Sequence, residues 1–207
     1  MEAVLDVYAR PYNATHPVVC LDESPRQLIS ETRAGFIASD GTRHYDYEYR
    51  REGTVDLCMI CEPLAGRREV LVRDNHDRLS YARAVIYIAE QMYPTAERIT
   101  IVEDNHGAHK LSALYEVLAP EQARSIITRL EIVRTPVHGS WLNIAELEFS
   151  ILSRQGLARR MATRQECEGK VRDWVALRNQ RSIKVDWQFK TADARIKLKR
   201  LYPSTLS

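Results

Sequence analysis

No stretch of this 207-residue chain approaches the ~18–20 consecutive apolar residues that a membrane-spanning helix needs. The opening residues, MEAVLDVYARPYNATHP, lack the apolar core of a secretion signal, so the expected location is the cytoplasm. Cysteine is scarce as well. Cys20, Cys58, Cys61 and Cys167 sit in apolar or helical contexts, and four in a chain this long do not make a disulfide framework. Cys58-Met59-Ile60-Cys61 has the C-x-x-C spacing, but no second ligand pair accompanies it, as a zinc site would require. It lies inside an apolar run that reads as a strand, where residues three apart point to opposite faces. Both cysteines are therefore expected in the core. Glycine-rich phosphate loops, a G-x-S-x-G elbow, internal repeats and low-complexity stretches are absent too.

What is present begins with enough apolar residues, 44%, to bury one good core. The net charge of +2 is unevenly spread. Residues 151–207 hold 14 Lys and Arg against 5 Asp and Glu, which leaves 16 against 23 in residues 1–150. An acidic body with a basic end suits cations on one part and a phosphate backbone on the other, although a solvated basic helical tail gives the same count.

Apolar runs bounded by polar and turn residues predict strands over His16–Leu21, Thr54–Glu62, Arg68–Arg73, Arg98–Asp104 and Leu130–Val133. Helices are expected from an Asp77 cap to about Met92, where Pro94 stops the run, and over Lys110–Leu118. Two more run from Trp141 or Asn143 to about Gln155, and from a Thr163 cap to about Gln180. Residues 2–11 read as a short helix or linker, and SPRQLISETR (24–33) as a polar segment. Tyr45–Tyr49 reads as strand or extended loop, Arg51-Glu52-Gly53 as a turn, Pro63–Arg67 as a hairpin loop, and Trp187–Leu201 as a basic amphipathic segment. Antiparallel strands first and crossover units after predict an α/β fold: a mixed five-stranded sheet with helices on both faces, the ordering of a ribonuclease-H-like fold.

Three apolar runs end near a carboxylate. HPVVCLDES carries Asp22, RITIVEDNHGAHK carries Asp104, and LEIVRTPVHGSWLNIAELEF carries Glu146 on the helix after the last strand. Carboxylates brought together from distant parts of a chain are what two-metal phosphodiester chemistry needs, and the C-terminal edge of a sheet is where open α/β folds place ligands. Each acid also has a structural explanation: Asp22 or Asp104 as a helix cap, Glu146 as a helix-start glutamate favoured by the dipole. Glu148 competes with Glu146 for the third position. His106 and His109 form H-x-x-H beside Asp104, and His138 is the nearest candidate for a third nitrogen. DNA or phosphate contacts, or hydrogen bonds orienting Asp104, are expected of the two histidines rather than metal ligation.

The strings LDES, YEYRREGTVDL, VEDNHGAHK and TPVHGSWLNIAELEFSILSRQ resemble the catalytic domain of bacterial mariner-like insertion-sequence transposases, the insertion sequence 630 family. The resemblance runs from about Val4 to Arg200 in the family's order. It implies a ribonuclease-H-like DDE domain over 16–182, with a linker or helix over 1–15 and a basic tail over 183–207. Catalysis and metal binding then fall to Asp22, Asp104 and Glu146, the last because Asn143-Ile144-Ala145-Glu146 matches the family's Asn-Pro-Ile-Glu-like string without its proline. Mg²⁺, replaceable by Mn²⁺, is the implied cofactor, and cleavage at transposon ends followed by strand transfer to target DNA is the implied activity. DNA contacts are expected from His106, His109, Lys110, Arg154, Arg159 and Arg160, and a homodimer is expected on DNA. Members of that family carry helix-turn-helix modules before the catalytic domain; none precedes it here, so a separate or missing module is expected. A bacterial, nucleoid-associated location follows. An inactive remnant that binds DNA or dimerises, and another ribonuclease-H-like nuclease, are the competing readings.

Overall fold

The computed structural model describes residues 1–33, 35–44 and 47–202. Helix α1 (Glu2–Tyr8) leads into strand β1 (Val18–Glu31) and a two-stranded ribbon, β2 (Phe36–Ile37) with β3 (Arg43–His44). Strands β4 (Tyr49–Glu62) and β5 (Arg67–Arg73) form a hairpin, followed by helix α2 (Arg78–Tyr87), whose last turn widens into a π-helical turn over Ile88–Met92. Strand β6 (Ile99–Glu103), a 3₁₀ turn at Leu111–Glu116, helix α3 (Pro120–Thr128) and strand β7 (Leu130–Arg134) come next. Helices α4 (Ile144–Gln155), α5 (Arg164–Gln180) and α6 (Thr191–Lys197) complete the order.

The main sheet runs β5-β4-β1-β6-β7. Its β5-β4-β1 half is antiparallel and its β1-β6-β7 half is parallel, as short hairpin loops and long helical crossovers respectively dictate. This is the mixed, helix-covered sheet of the ribonuclease-H-like fold. Alternation along each strand sends side chains to two cores. Cys20, Met59, Cys61 and Val102 pack beneath α1, α4 and α5, whereas Leu21, Cys58, Ile60 and Ile101 pack beneath α2 and α3. Cys58 and Cys61 thus fall on opposite faces, both free and buried.

Several local features differ from the expectation. Most of the polar stretch 24–33 continues β1 as far as Glu31, because it pairs with β4 and, apart from buried Leu28, its side chains stay half-buried or exposed and so need no apolar run. Arg51-Glu52-Gly53 makes no turn. The register steps from Leu28↔Gly53 to Ile29↔Arg51, so the Gly signal marks a β-bulge, with Gly53 at φ +115°. Pro63–Arg67 does form the hairpin loop. Gly66 there has φ +69°, and a Cβ on it would lie 2.6 Å from the Ser182 backbone, so the close pass of the chain after α5 requires glycine. The segment 111–116 is 3₁₀ rather than α, and α3, with Pro120 at its first turn, was not expected. Of Tyr45–Tyr49, Tyr45 and Asp46 lie outside the described residues, as do 203–207 of the basic tail.

The chain's beginning and end join the body. Val4, Leu5 and Val7 of α1 are buried, Tyr8 packs its ring against Trp187, and Arg195 of α6 pairs bidentately with Glu2. Among the described residues no helix is long and apolar enough to cross a membrane.

Candidate active site

Strands β1 and β6 run parallel with Cys20 opposite Val102, and the pairing ends there. Two residues further on, the same register sets Asp22 level with Asp104. Asp22 is therefore not at the end of its strand: β1 continues, paired only to β4, and Asp22 sits where β6 leaves it. Strand alternation turns both acids toward the face covered by α4. The third acid arrives through a capping contact. Asn143 caps α4 by accepting from the Ala145 N–H at 3.2 Å, and its Nδ2 donates to the Leu21 carbonyl at 2.8 Å. One amide thus both starts the helix and fastens it to β1 beside Asp22. Tyr8 adds to this by donating from its hydroxyl to the Leu142 carbonyl at 2.8 Å. Glu146 lies in the first turn of the helix so anchored.

The electrostatics record the proximity. Burial raises the Asp22 carboxyl to about 7, and the carboxylates of Asp104, Glu146 and Glu23 push in the same direction, against the N–H of Glu23 that donates to it. Asp104 is held below the ordinary carboxylate range, chiefly by His109 Nδ1 at 3.0 Å. Three acids therefore share one end of the sheet, and Asp22 has no cationic partner among the described residues. Oxygen-only donors under mutual repulsion fit a hard divalent cation, which would relieve that repulsion. The acids stand as neighbours and not as a closed cage: among the described residues no three His, Cys, Asp or Glu side chains are gathered closely enough to hold one ion.

Glu148, the competitor, is elsewhere. It is fully buried, with Oε1 accepting from Arg68 and from Arg178, each at 3.0 Å. Two positions along a helix turn a side chain to a different face, and Glu148 faces β4, β5 and α5.

Of the six residues expected to touch DNA, His106, Lys110, Arg154 and Arg159 are exposed. Arg160 is half-buried and lays its guanidinium over the Tyr49 ring at 5.5 Å. His109 corrects the expectation: its side chain is 1% exposed and contacts Glu23 and Asp104, so it cannot reach a DNA strand. A cleft of about 550 Å³ is lined by His76, Arg78, His106 and Lys110, and another of about 320 Å³ by Arg26, Arg159 and Arg160. Neither Asn143 as a tether nor Glu23 as a partner of His109 was foreseen. Asn before a helical run is a capping signal in its own right; Glu23 had no signal.

The family described as DDE superfamily endonuclease matches residues 17–167. Among curated proteins nothing matches. Among solved structures, the Mos1 mariner paired-end complex with Mn is similar, at 16% identity and TM-score 0.57, over 88% of this chain and 55% of that one. The paired-end complex with Mg has 14% identity and TM-score 0.56 over 88% and 55%, and the Mos1 strand transfer complex 14% and 0.55 over 88% and 54%. The chain thus spans just over half the length of these structures and shares their fold.

Proposed function

The chain belongs to the DDE superfamily of endonucleases, and from that premise we propose that it is a transposase catalytic domain of the mariner-like insertion-sequence kind. In this reading it cleaves DNA at transposon ends and joins the freed 3′-hydroxyl to target DNA. The observation that carries the reading is the meeting of Asp22, Asp104 and Glu146, from three distant stretches, with Asp22 raised to about 7 by burial and by its acidic neighbours.

Asp22, Asp104 and Glu146 would hold Mg²⁺ or Mn²⁺. When bound, divalent ions supply activation of the attacking oxygen and stabilisation of the leaving oxygen. The chain's own contribution is placement. Asp22 and Asp104 are fixed by adjoining parallel strands, and Glu146 by the Asn143 tether. Each aspartate has one oxygen occupied by an N–H donor, Glu23 N at 2.8 Å for Asp22 and His106 N at 3.1 Å for Asp104. His106, Lys110, Arg154, Arg159 and Arg160 would take the phosphate backbone. The domain boundaries 16–182, a homodimer on DNA, a helix-turn-helix module supplied separately and a location with bacterial DNA in the cytoplasm belong to the same proposal. Mos1 in its complexes with Mn, with Mg and with a left transposon end supports it by analogy of fold.

The test is incubation with duplex DNA carrying candidate ends, with Mg²⁺ or Mn²⁺, and with Glu146→Gln as control. Nicked product plus strands joined to a target supports a transposase. Hydrolysis with no joining under any condition overturns that assignment in favour of a plain nuclease, and metal-independent inertness favours the remnant.

A further inference from the structure

The acids of the site have a counterpart on the other side of the sheet. Leu21 and Ile101 face the α2 core, so Glu23 and Glu103, two residues beyond each, face it too. Both are well shielded: the Glu23 side chain is 9% exposed and that of Glu103 is 0%. Loop 104–110 is largely open to solvent, but it turns the His109 side chain inward, to Asp104 on one side and Glu23 on the other. Nδ1 of the ring lies 3.0 Å from Asp104 Oδ1, and Nε2 lies 2.8 Å from Glu23 Oε2.

We propose that His109 is a positioning residue for the cation site, bridging Asp104 on one face to Glu23 on the other, so that a single oxygen of Asp104 is presented outward. The role rests on the reading of Asp104 as a metal ligand. Nδ1 also lies 3.4 Å from the Asp104 carbonyl oxygen, so one nitrogen is tied to Asp104 by side chain and backbone while the other meets Glu23. Asp104 Oδ1 is thereby taken twice, by His109 and by the His106 N–H at 3.1 Å, while Oδ2 has no partner among the described residues.

The ring is itself held. Tyr81 stacks on it at 4.6 Å with planes 21° apart, and the Tyr81 hydroxyl donates to Glu103 at 2.8 Å. Arg134 closes the set, with Nε 3.3 Å from Glu103 and Nη2 donating to the His109 carbonyl at 2.7 Å. Neither the histidine nor the carboxylate it grips is then free to change rotamer, and Glu23 stays on the far face although it adjoins Asp22 in sequence. Partners that orient a ligand without touching the metal typically contribute about 10–100-fold in metal affinity.

The experiment combines two readouts on the purified chain. Nitrogen-15 NMR of the metal-free protein, held at one pH, reads the surroundings of the two His109 ring nitrogens. Glu23→Gln should then shift the Nε2 signal and Asp104→Asn the Nδ1 signal. Mn²⁺ calorimetry should show affinity reduced about 10–100-fold in His109→Ala and by less in His109→Gln, which keeps one donor. Glu23→Gln, nearly isosteric and so retaining the fold, should reduce affinity a few-fold by the same route. Mn²⁺ binding that survives Asp104→Asn overturns the catalytic reading and this role with it. Binding lost in Asp104→Asn yet unchanged in a folded His109→Ala, or ring signals indifferent to Glu23→Gln, overturns the positioning role alone.

Discussion

Glu146 and Glu148 stand two residues apart on α4 and meet opposite environments. Glu148 is completely buried between Arg68 and Arg178, both almost wholly buried themselves. Glu146 is partly open, has no cation beside it among the described residues, and adds to the repulsion that raises Asp22. A compensated buried acid holds a fold together. An acid kept among other acids costs stability and persists because something else is to bind there. The same contrast separates Asp56, buried but paired with His76 at 3.1 Å, from Asp22, whose charged neighbours among the described residues are the carboxylates of Asp104, Glu146 and Glu23.

The widest separation between the two glutamates should appear in DNA cleavage. Glu146→Gln or Asp104→Ala should lower metal-dependent nicking by roughly 10³-fold, several kcal/mol of barrier, with the unfolding midpoint little changed. Glu148→Ala should do the reverse: leaving two arginines uncompensated in the interior should destabilise by about 3–5 kcal/mol, measured by urea denaturation. If Glu148→Ala is as stable as the parent, or Glu146→Gln unfolds, the assignment of the two roles is wrong.

Asp22 offers a pH-dependent version of the same contrast. Its folded value, about 7, lies above the ordinary 3.8, so the fold favours the protonated acid and loses stability as pH rises from about 4 through about 7. Asp22→Asn should remove that slope and stabilise the metal-free chain at about pH 8 by roughly 1–3 kcal/mol, seen as a higher thermal midpoint. In the parent a cation must displace that proton. Apparent Mg²⁺ affinity should therefore rise about tenfold per pH unit up to about pH 7 and level off above it. The smallest effect concerns the basic end. Arg159→Ala with Arg154→Ala should weaken duplex binding modestly and reduce the slope of log affinity against log salt by about 2, measured by fluorescence anisotropy.

Much of the sheet could be read from the residues. Its buried strands are short apolar runs, and the helix starts at Asp77, Asn143 and Thr163 carry side-chain caps that the structure retains. The far half of β1 could not be read that way, because Leu28 is its one fully buried residue and the polar side chains around it give no alternating apolar run. Gly53 announced an irregularity without saying whether it was a turn or a bulge, and only pairing with Leu28 decides. Of the site, the three acids were visible as carboxylates after apolar runs. Spacing alone left Glu146 and Glu148 open and the family resemblance favoured Glu146; the physical ground, the pairing of Glu148 with Arg68 and Arg178, comes from residues 80 and 30 positions away from it. His109 was misplaced for a related reason: spacing puts it near Asp104 but does not tell whether its side chain turns out to solvent with His106 and Lys110 or inward to Glu23.

What binds these comparisons together is the proposal that Asp22, Asp104 and Glu146 form a cation site. Calorimetric titration of Mg²⁺ or Mn²⁺ into the parent chain and into Asp104→Ala tests it most directly. Heat of binding in the parent that vanishes in the folded variant is the predicted result. A folded parent that binds no ion even with duplex DNA present, or equal binding by Asp104→Ala, would contradict it.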